Sequence, residues 1–246
     1  PSTISVKVLL QFYIKVNSEI PLYALINGTN TTLTSGWYNA GTKITVENIT
    51  YYPSTGERYV MTSITPSSLV VSSPSTISVS VLQQFYIKVS STIPVYALVN
   101  GTNTTLTSGW YNAGTRIEVE NITYYPAQGE RYVIVSISPR SLVVNSPTVV
   151  RVSAILQYFV KVVSPIPVKA IINGSLVYIN SSWINAGTTI VVKNCTYYIN
   201  GEERCVIVSV TPQAFTLAKP TTINIKTQKQ YLVTINGVST CLLYTS

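Results

Sequence analysis

From Thr76 to Val89 the chain reads T-I-S-V-S-V-L-Q-Q-F-Y-I-K-V, with apolar residues at every second position. They are Ile77, Val79, Val81, then Phe85, Ile87 and Val89; Gln83 alone interrupts them. A period of two marks a β-strand with one buried face. The same stripe runs through Ile4, Val6, Val8, Leu10, Phe12, Ile14 and Val16, and again through Val150, Val152, Ala154, Leu156, Tyr158, Val160 and Val162. A weaker copy passes through Ile223, Ile225, Tyr231, Val233 and Ile235. Phe12, Phe85 and Tyr158 are spaced by 73 residues, so the chain repeats without insertion. At ~3.3 Å per residue the Thr76–Val89 strand spans about 43 Å, longer than the ~3–10 residues usual within a small domain. The expectation is a strand that closes one domain and opens the next.

Turn signals divide the repeat that begins at Gln11. Phe12–Val16 reads as a strand stopped by Ile20-Pro21, and Leu22–Ile26 as a second, ended by the hairpin signal Asn27-Gly28. Thr31–Trp37 follows, turning at Asn39-Ala40-Gly41, and Thr42–Thr50 alternates again before the turn Ser54-Thr55-Gly56. Arg58–Ile64, Leu69–Val71 and Ile77–Val81 complete about seven strands, with no helical periodicity. This pattern predicts an all-β fold: a tandem array of about seven-stranded Ig-like β-sandwich domains joined by continuous strands. A linker made of strand is stiff, unlike one rich in Gly and Ser. The stripe weakens at Gln83 and Lys229, which sets the expected organisation. Residues 1–10 read as the last strand of a preceding domain, and 11–83, 84–156 and 157–229 as β-sandwich repeats. Residues 230–246 read as the first strand of a truncated fourth repeat plus a tail: the pattern is lost after Ile235, and residues 240–246 read as sequence foreign to the protein, the alternative being a divergent cap.

Composition narrows the function. Only 10% of the 246 residues are charged, there is no His, and all eight acidic residues are Glu. The net charge of +8 comes from scattered Lys and Arg, which read as a solvated surface with no nucleic-acid partner. No run of 18 apolar residues predicts a transmembrane segment. Without His and Asp, a Ser-His-Asp triad, a His-based zinc site and an EF-hand are unavailable. Glu47 and Glu120 become Lys193 in the third repeat, so no carboxylate pair recurs. The reading is a protein that is not an enzyme and uses no cofactor. Glu57 and Arg58 are adjacent in a strand and face opposite ways, so each is expected to pair across strands.

Three motifs remain. N-x-[ST] sequons occur at Asn27, Asn30, Asn48, Asn100, Asn103, Asn121, Asn173, Asn180 and Asn194, three per repeat. In a secreted protein they mark glycan-bearing positions, although Asn27, Asn100 and Asn173 precede Gly, where a turn alone accounts for them. Cys195 and Cys205 replace Ile49 and Tyr59 of the first repeat and flank Asn200-Gly201, so a disulfide across a hairpin is expected, and with it an oxidising compartment. Trp37, Trp110 and Trp183 sit in Gly-Trp-Tyr-Asn-Ala-Gly or its variant Ser-Trp-Ile-Asn-Ala-Gly. They read as core aromatics packed between two sheets, the alternative being a sugar-stacking platform.

The motifs Q-F-Y-I-K-V at 84–89, G-W-Y-N-A-G at 109–114, G-E-R-Y-V at 129–133 and the closing I-S-V-S-V-L resemble a β-sandwich repeat of archaeal secreted proteins. That repeat occurs in tandem in surface and filament proteins and appended to thermopsin-like acid proteases. The family's Gly-rich stretch before the Trp is replaced here by Asn27–Ser35. The resemblance implies an extracellular, cell-surface protein of a thermoacidophile-type host, and the scarcity of ionisable side chains suits an acidic exterior. The expected function is a structural segment of a long glycosylated rod, fibre or filament. Its partners would be further copies of the same repeat, in the chain or a neighbouring subunit, and covalent N-glycans. The alternatives are a spacer or carbohydrate-binding region of a secreted acid protease or adhesin, and a filament subunit joined by donated strands.

Overall fold

The computed structural model describes residue 4, residues 6–235 and residues 238–243, with backbone alone for 234–235 and 238–243. Among the described residues every regular element is a strand. The first repeat comprises β1 (Gln11–Asn17), β2 (Leu22–Ile26), β3 (Thr29–Leu33), β4 (Gly36–Asn39), β5 (Lys43–Val46), β6 (Thr50–Ser54), β7 (Glu57–Thr65), β8 (Ser68–Val70) and β9 (Ser75–Ser90). The second continues with β10 (Tyr96–Val99), β11 (Thr102–Thr105), β12 (Gly109–Asn112), β13 (Arg116–Val119), β14 (Tyr124–Ala127), β15 (Glu130–Ser138), β16 (Ser141–Val143) and β17 (Thr148–Val163). The third adds β18 (Lys169–Ile172), β19 (Ser175–Tyr178), β20 (Ser182–Asn185), β21 (Thr189–Val192), β22 (Thr196–Tyr198), β23 (Glu203–Thr211), β24 (Ala214–Thr216) and β25 (Thr221–Ile235), and β26 (Val238–Leu243) follows.

By its contacts the chain divides into two units, one of residues 1–90, 95–120 and 138–151, the other of residues 91–94, 121–137 and 152–246. The first unit contains a complete sandwich. One sheet is ordered β3-β2-β5-β8 and is antiparallel throughout. The other runs β6-β7-β9-β1-β4, in which β1 and β9 are parallel, Ile14 opposite Ser75 and Asn17 opposite Ser78. Ile14, Leu22, Ala24, Ile44, Val71 and Ile77 fill the space between them, nearly all at zero exposure. Each such branched side chain contributes about 1.5–3 kcal/mol on burial, which is what draws the two alternating faces together. The same unit holds the sheet β11-β10-β13-β16 and pairs β9 with β12 and with Thr148–Arg151 of β17.

The second unit repeats the plan. Sheet β19-β18-β21-β24 lies over β22-β23-β25-β17-β20, with β17 and β25 parallel from Val160 and Thr221. Val160, Val168, Ala170, Ile190, Val192, Leu217 and Ile223 form its core. Strands β14 and β15 pair with each other, and β15 pairs with β17.

The all-β sandwich expectation holds, with finer strand divisions than the alternation suggests. Thr31–Trp37 reads as one strand but is two: β3 joins the sheet of β2, and the chain crosses at Thr34-Ser35 to β4 in the sheet of β1. Ser35 Oγ accepts the Val16 N–H at 2.8 Å at that crossing. Likewise Thr42–Thr50 breaks at Glu47–Ile49 between β5 and β6. The sandwich therefore has nine strands rather than about seven.

The long strands are continuous. β9 and β17 each run sixteen residues. No Gly or Pro lies between Ser75 and Ile93, and β7 pairs with β9 from Ser78 to Phe85 while β12 takes over from Gln84 to Ile87. Ile77 and Val79 are buried before Gln83, and Phe85 and Ile87 after it. The tail abandons the sequence pattern but not the ladder: β26 pairs with β25, Gln230 opposite Leu243, where β20 pairs with β17, Gln157 opposite Asn185. Among the described residues no helix is long and apolar enough to cross a membrane.

Candidate functional site

Two sequence motifs that lie far apart in the chain meet around tryptophan. The Gly-Trp-Tyr-Asn motif forms β12, with Trp110 opposite Tyr86 and Asn112 opposite Gln84 of β9. Side chains alternate across a strand, so Trp and the following residue take opposite faces. In the first repeat Tyr38 packs on the core, its hydroxyl donating to the Thr34 carbonyl at 2.8 Å, and in the third Ile184 does so. The tryptophans are thereby turned outward. This corrects the expected core placement of Trp37, Trp110 and Trp183: Trp37 is 67% exposed, and Trp110 and Trp183 are half-buried.

Residues of the preceding repeat cover Trp110. Its ring lies edge-on to Tyr86 at 5.5 Å and to Tyr52 at 6.0 Å, and the Arg58 guanidinium stands 4.5 Å from the ring centroid. Arg58 Nε donates to Gln84 Oε1 at 2.8 Å, and Gln84 Nε2 donates to Asn112 Oδ1 at 2.8 Å. One glutamine amide thus links the arginine to the tryptophan's own strand and holds the cation over the ring. Trp183 repeats the arrangement with Phe159 at 5.4 Å, Tyr125 at 6.0 Å and Arg131 at 4.6 Å, the relay being Arg131–Gln157–Asn185. Edge-on rings and a cation over an indole face are both attractive, because the ring's face is negative and its edge positive.

Beside each tryptophan a glycine of the same hairpin admits a proline. Gly56, at φ +80°, lies so close to Pro147 that a Cβ added to it would stand 2.9 Å from the ring, and Gly129 meets Pro220 in the same way. The hairpin is also tied by its backbone, the Tyr86 N–H donating to the Gly56 carbonyl at 2.8 Å.

Trp37 has the near half of this site only. Tyr13 lies edge-on at 5.6 Å and Gln11 donates to Asn39 at 2.9 Å, but among the described residues no cation and no second ring covers it.

Glu57 and Arg58 bond across strands, as alternation predicts. Glu57 accepts from Gln83 at 2.7 Å, and the same Gln83 amide donates to the Tyr59 hydroxyl at 2.9 Å. Burial, then the neighbouring Glu57 carboxylate, raises the pKa of Tyr59.

All nine sequon asparagines, Asn27, Asn30, Asn48, Asn100, Asn103, Asn121, Asn173, Asn180 and Asn194, have exposed side chains. Asn27, Asn100 and Asn173 also have positive φ, 52°, 50° and 48°, each followed by a positive-φ glycine. That is the tight hairpin turn for which Asn-Gly is suited. The Oδ1 atoms of Asn27 and Asn100 accept the backbone N–H groups of Lys43 and Arg116.

The disulfide expected between Cys195 and Cys205 is not formed; both are free thiols. The hairpin register explains it. Tyr197 lies opposite Cys205 and Thr196 opposite Val206, while the Ile207 N–H reaches the Cys195 carbonyl. The hairpin is centred on Gly201 rather than Asn200, so the two cysteines are diagonal neighbours. Diagonal pairs lie about 7–8 Å apart, beyond the Cα separation a disulfide spans without backbone movement.

Comparison with protein-family models and with curated proteins finds no match to either.

Proposed function

We propose that the chain is a structural segment of a long, glycosylated, extracellular rod, fibre or filament on a cell surface, of the archaeal kind that its motifs resemble. The observation that carries this reading is the Trp110 seat. Residues of one repeat and the next interlock there through Tyr52, Arg58, Gln84 and Asn112, and the same interlock recurs at Trp183. Repetition of one junction is what an array needs when each unit contacts only its neighbours. The exposed sequons support a glycosylated surface. Spin labels placed in the first and third repeats test the reading: a stiff array gives one narrow distance distribution, and a broad distribution overturns it.

A second reading, a filament joined by donated strands, draws on residues 4–10. Ile4, Val6 and Val8 are 86%, 79% and 86% exposed, whereas one repeat later Ile77 and Val79 are buried and Val81 is half-buried. A carbohydrate-binding role draws on Trp37 alone, because the other two indoles are covered by arginine and tyrosine.

A further inference from the structure

The face bearing Trp37 matches the faces bearing Trp110 and Trp183, each of which is covered in this structure. On the covered faces the occupant is a hairpin with Tyr, Gly and Arg at the spacing of Tyr52, Gly56 and Arg58. On the Trp37 face the counterparts of the receiving residues are all present: Gln11 bonded to Asn39, Tyr13 edge-on to Trp37, and Pro74 exposed. The third repeat's own hairpin departs from the pattern. Two repeats after Gly56 and one after Gly129 stands Glu202. Its carbonyl accepts the Leu232 N–H at 2.8 Å, as the Gly56 carbonyl accepts that of Tyr86. The turn is rebuilt around Asn200, whose Oδ1 accepts the N–H groups of Glu202 and Glu203 at 2.8 and 2.7 Å.

We propose that the Trp37 face is a docking surface for the Tyr-x-x-x-Gly-Glu-Arg hairpin of another sandwich of this repeat, and that the glycine decides admission, so that a hairpin of the third-repeat type, with Glu at that place, is refused. The physical ground is the approach at Gly56 and Gly129, where even a Cβ would meet the proline ring at 2.9 Å and a glutamate side chain adds more. Repeats of this chain are then not interchangeable. The first two types can be followed by a proline-bearing face, and the third cannot. This rests on the reading of the chain as an array of interlocking repeats.

The test extends the full chain upstream of Gln11 with one added repeat, joined in the 73-residue register. One extension copies the first repeat, a second copies it with Gly56→Glu, and a third copies the third repeat; each copy carries Phe in place of its own Trp. Hydroxyl-radical footprinting then reads Trp37 separately from Trp110 and Trp183. The expected result is that the first extension lowers Trp37 oxidation to the level of Trp110 and the other two leave it at the level of the unextended chain. The third extension guards against misfolding of Gly56→Glu, because its hairpin carries Glu naturally. Trp37 remaining as reactive under the first extension overturns the docking surface, and equal protection under all three overturns the glycine rule. The spin-label distances between the existing repeats report on the array reading independently.

Discussion

Gly56 and Pro147, 91 residues apart in the chain, approach so closely that no side chain fits between them: a Cβ on the glycine would lie 2.9 Å from two atoms of the proline. Gly41 supplies the control, at φ +84° with nothing within 4 Å of the same added atom. Both alanine substitutions incur the left-handed backbone cost of about 1–2 kcal/mol. Gly56→Ala should lose a further ~1–3 kcal/mol from overpacking, and Gly129→Ala against Pro220 should behave like it. Urea unfolding of the three variants measures the difference; equal losses at Gly41 and Gly56 would show that the contact is soft.

Trp110→Ala should destabilise more than Trp37→Ala. Both lose one edge-on ring partner on their own strand pair, but Trp110 also loses Tyr52 and the Arg58 cation. The excess should be about 1–2 kcal/mol. Arg58→Lys, with Trp110 in place, should keep only part of that stabilisation, since an ammonium lacks the planar fork that both covers the ring and donates to Gln84.

Some of this was legible in the residues and some was not. The continuity of β9 follows from its unbroken alternation and the absence of Gly and Pro from Ser75 to Ile93. The core-facing phase flips at both crossings, from Leu33 to Tyr38 and from Ile44 and Val46 to Ile49 and Tyr51. The first was hidden because Trp37 keeps the phase of Leu33, and the second because the slip is a single residue, between Val46 and Ile49. The tryptophan face was misread because Trp and Tyr are both large and aromatic, so alternation alone does not say which is inside. The informative sign was Ile184 at the place of Tyr38, an aliphatic residue marking the core-facing position. That Arg58 meets Trp110, 52 residues on, rather than the Trp of its own repeat depends on strand pairing, which spacing does not reveal.

Cys195 and Cys205 should both be alkylated in denatured protein that has not been treated with reductant. The Tyr197–Cys205 register keeps them diagonal. Peptide mass spectrometry should find each carrying one label; a linked peptide pair would contradict the register.

Tyr59 predicts an alkaline loss of stability. Its folded pKa is raised by burial and then by Glu57, so folding favours the protonated phenol. That contribution is full below the ordinary tyrosine value of about 10 and is lost as pH rises through the higher folded value. Tyr59→Phe should flatten the alkaline limb of a thermal-stability profile; an unchanged limb would remove Tyr59 as its source.

Glycan occupancy should be found at Asn48, Asn121 and Asn194, whose exposed side chains precede β6, β14 and β22, and on at least one further sequon per repeat. Intact mass of protein from its native source measures this. A mass equal to the bare polypeptide would rule it out.

The parallel pairing of β1 and β9 has a mechanical meaning. The chain enters the first sandwich through β1 and leaves through β9 in the same direction, with Ile14–Asn17 beside Ser75–Ser78. Tension along the chain therefore slides these neighbouring strands past one another. The hydrogen bonds between them share the load at once instead of parting one after another from an end. β17 and β25 present the same arrangement to the same pull. Pulled along the chain, each of these two sandwiches should therefore behave as a clamp, resisting extension and then giving way abruptly.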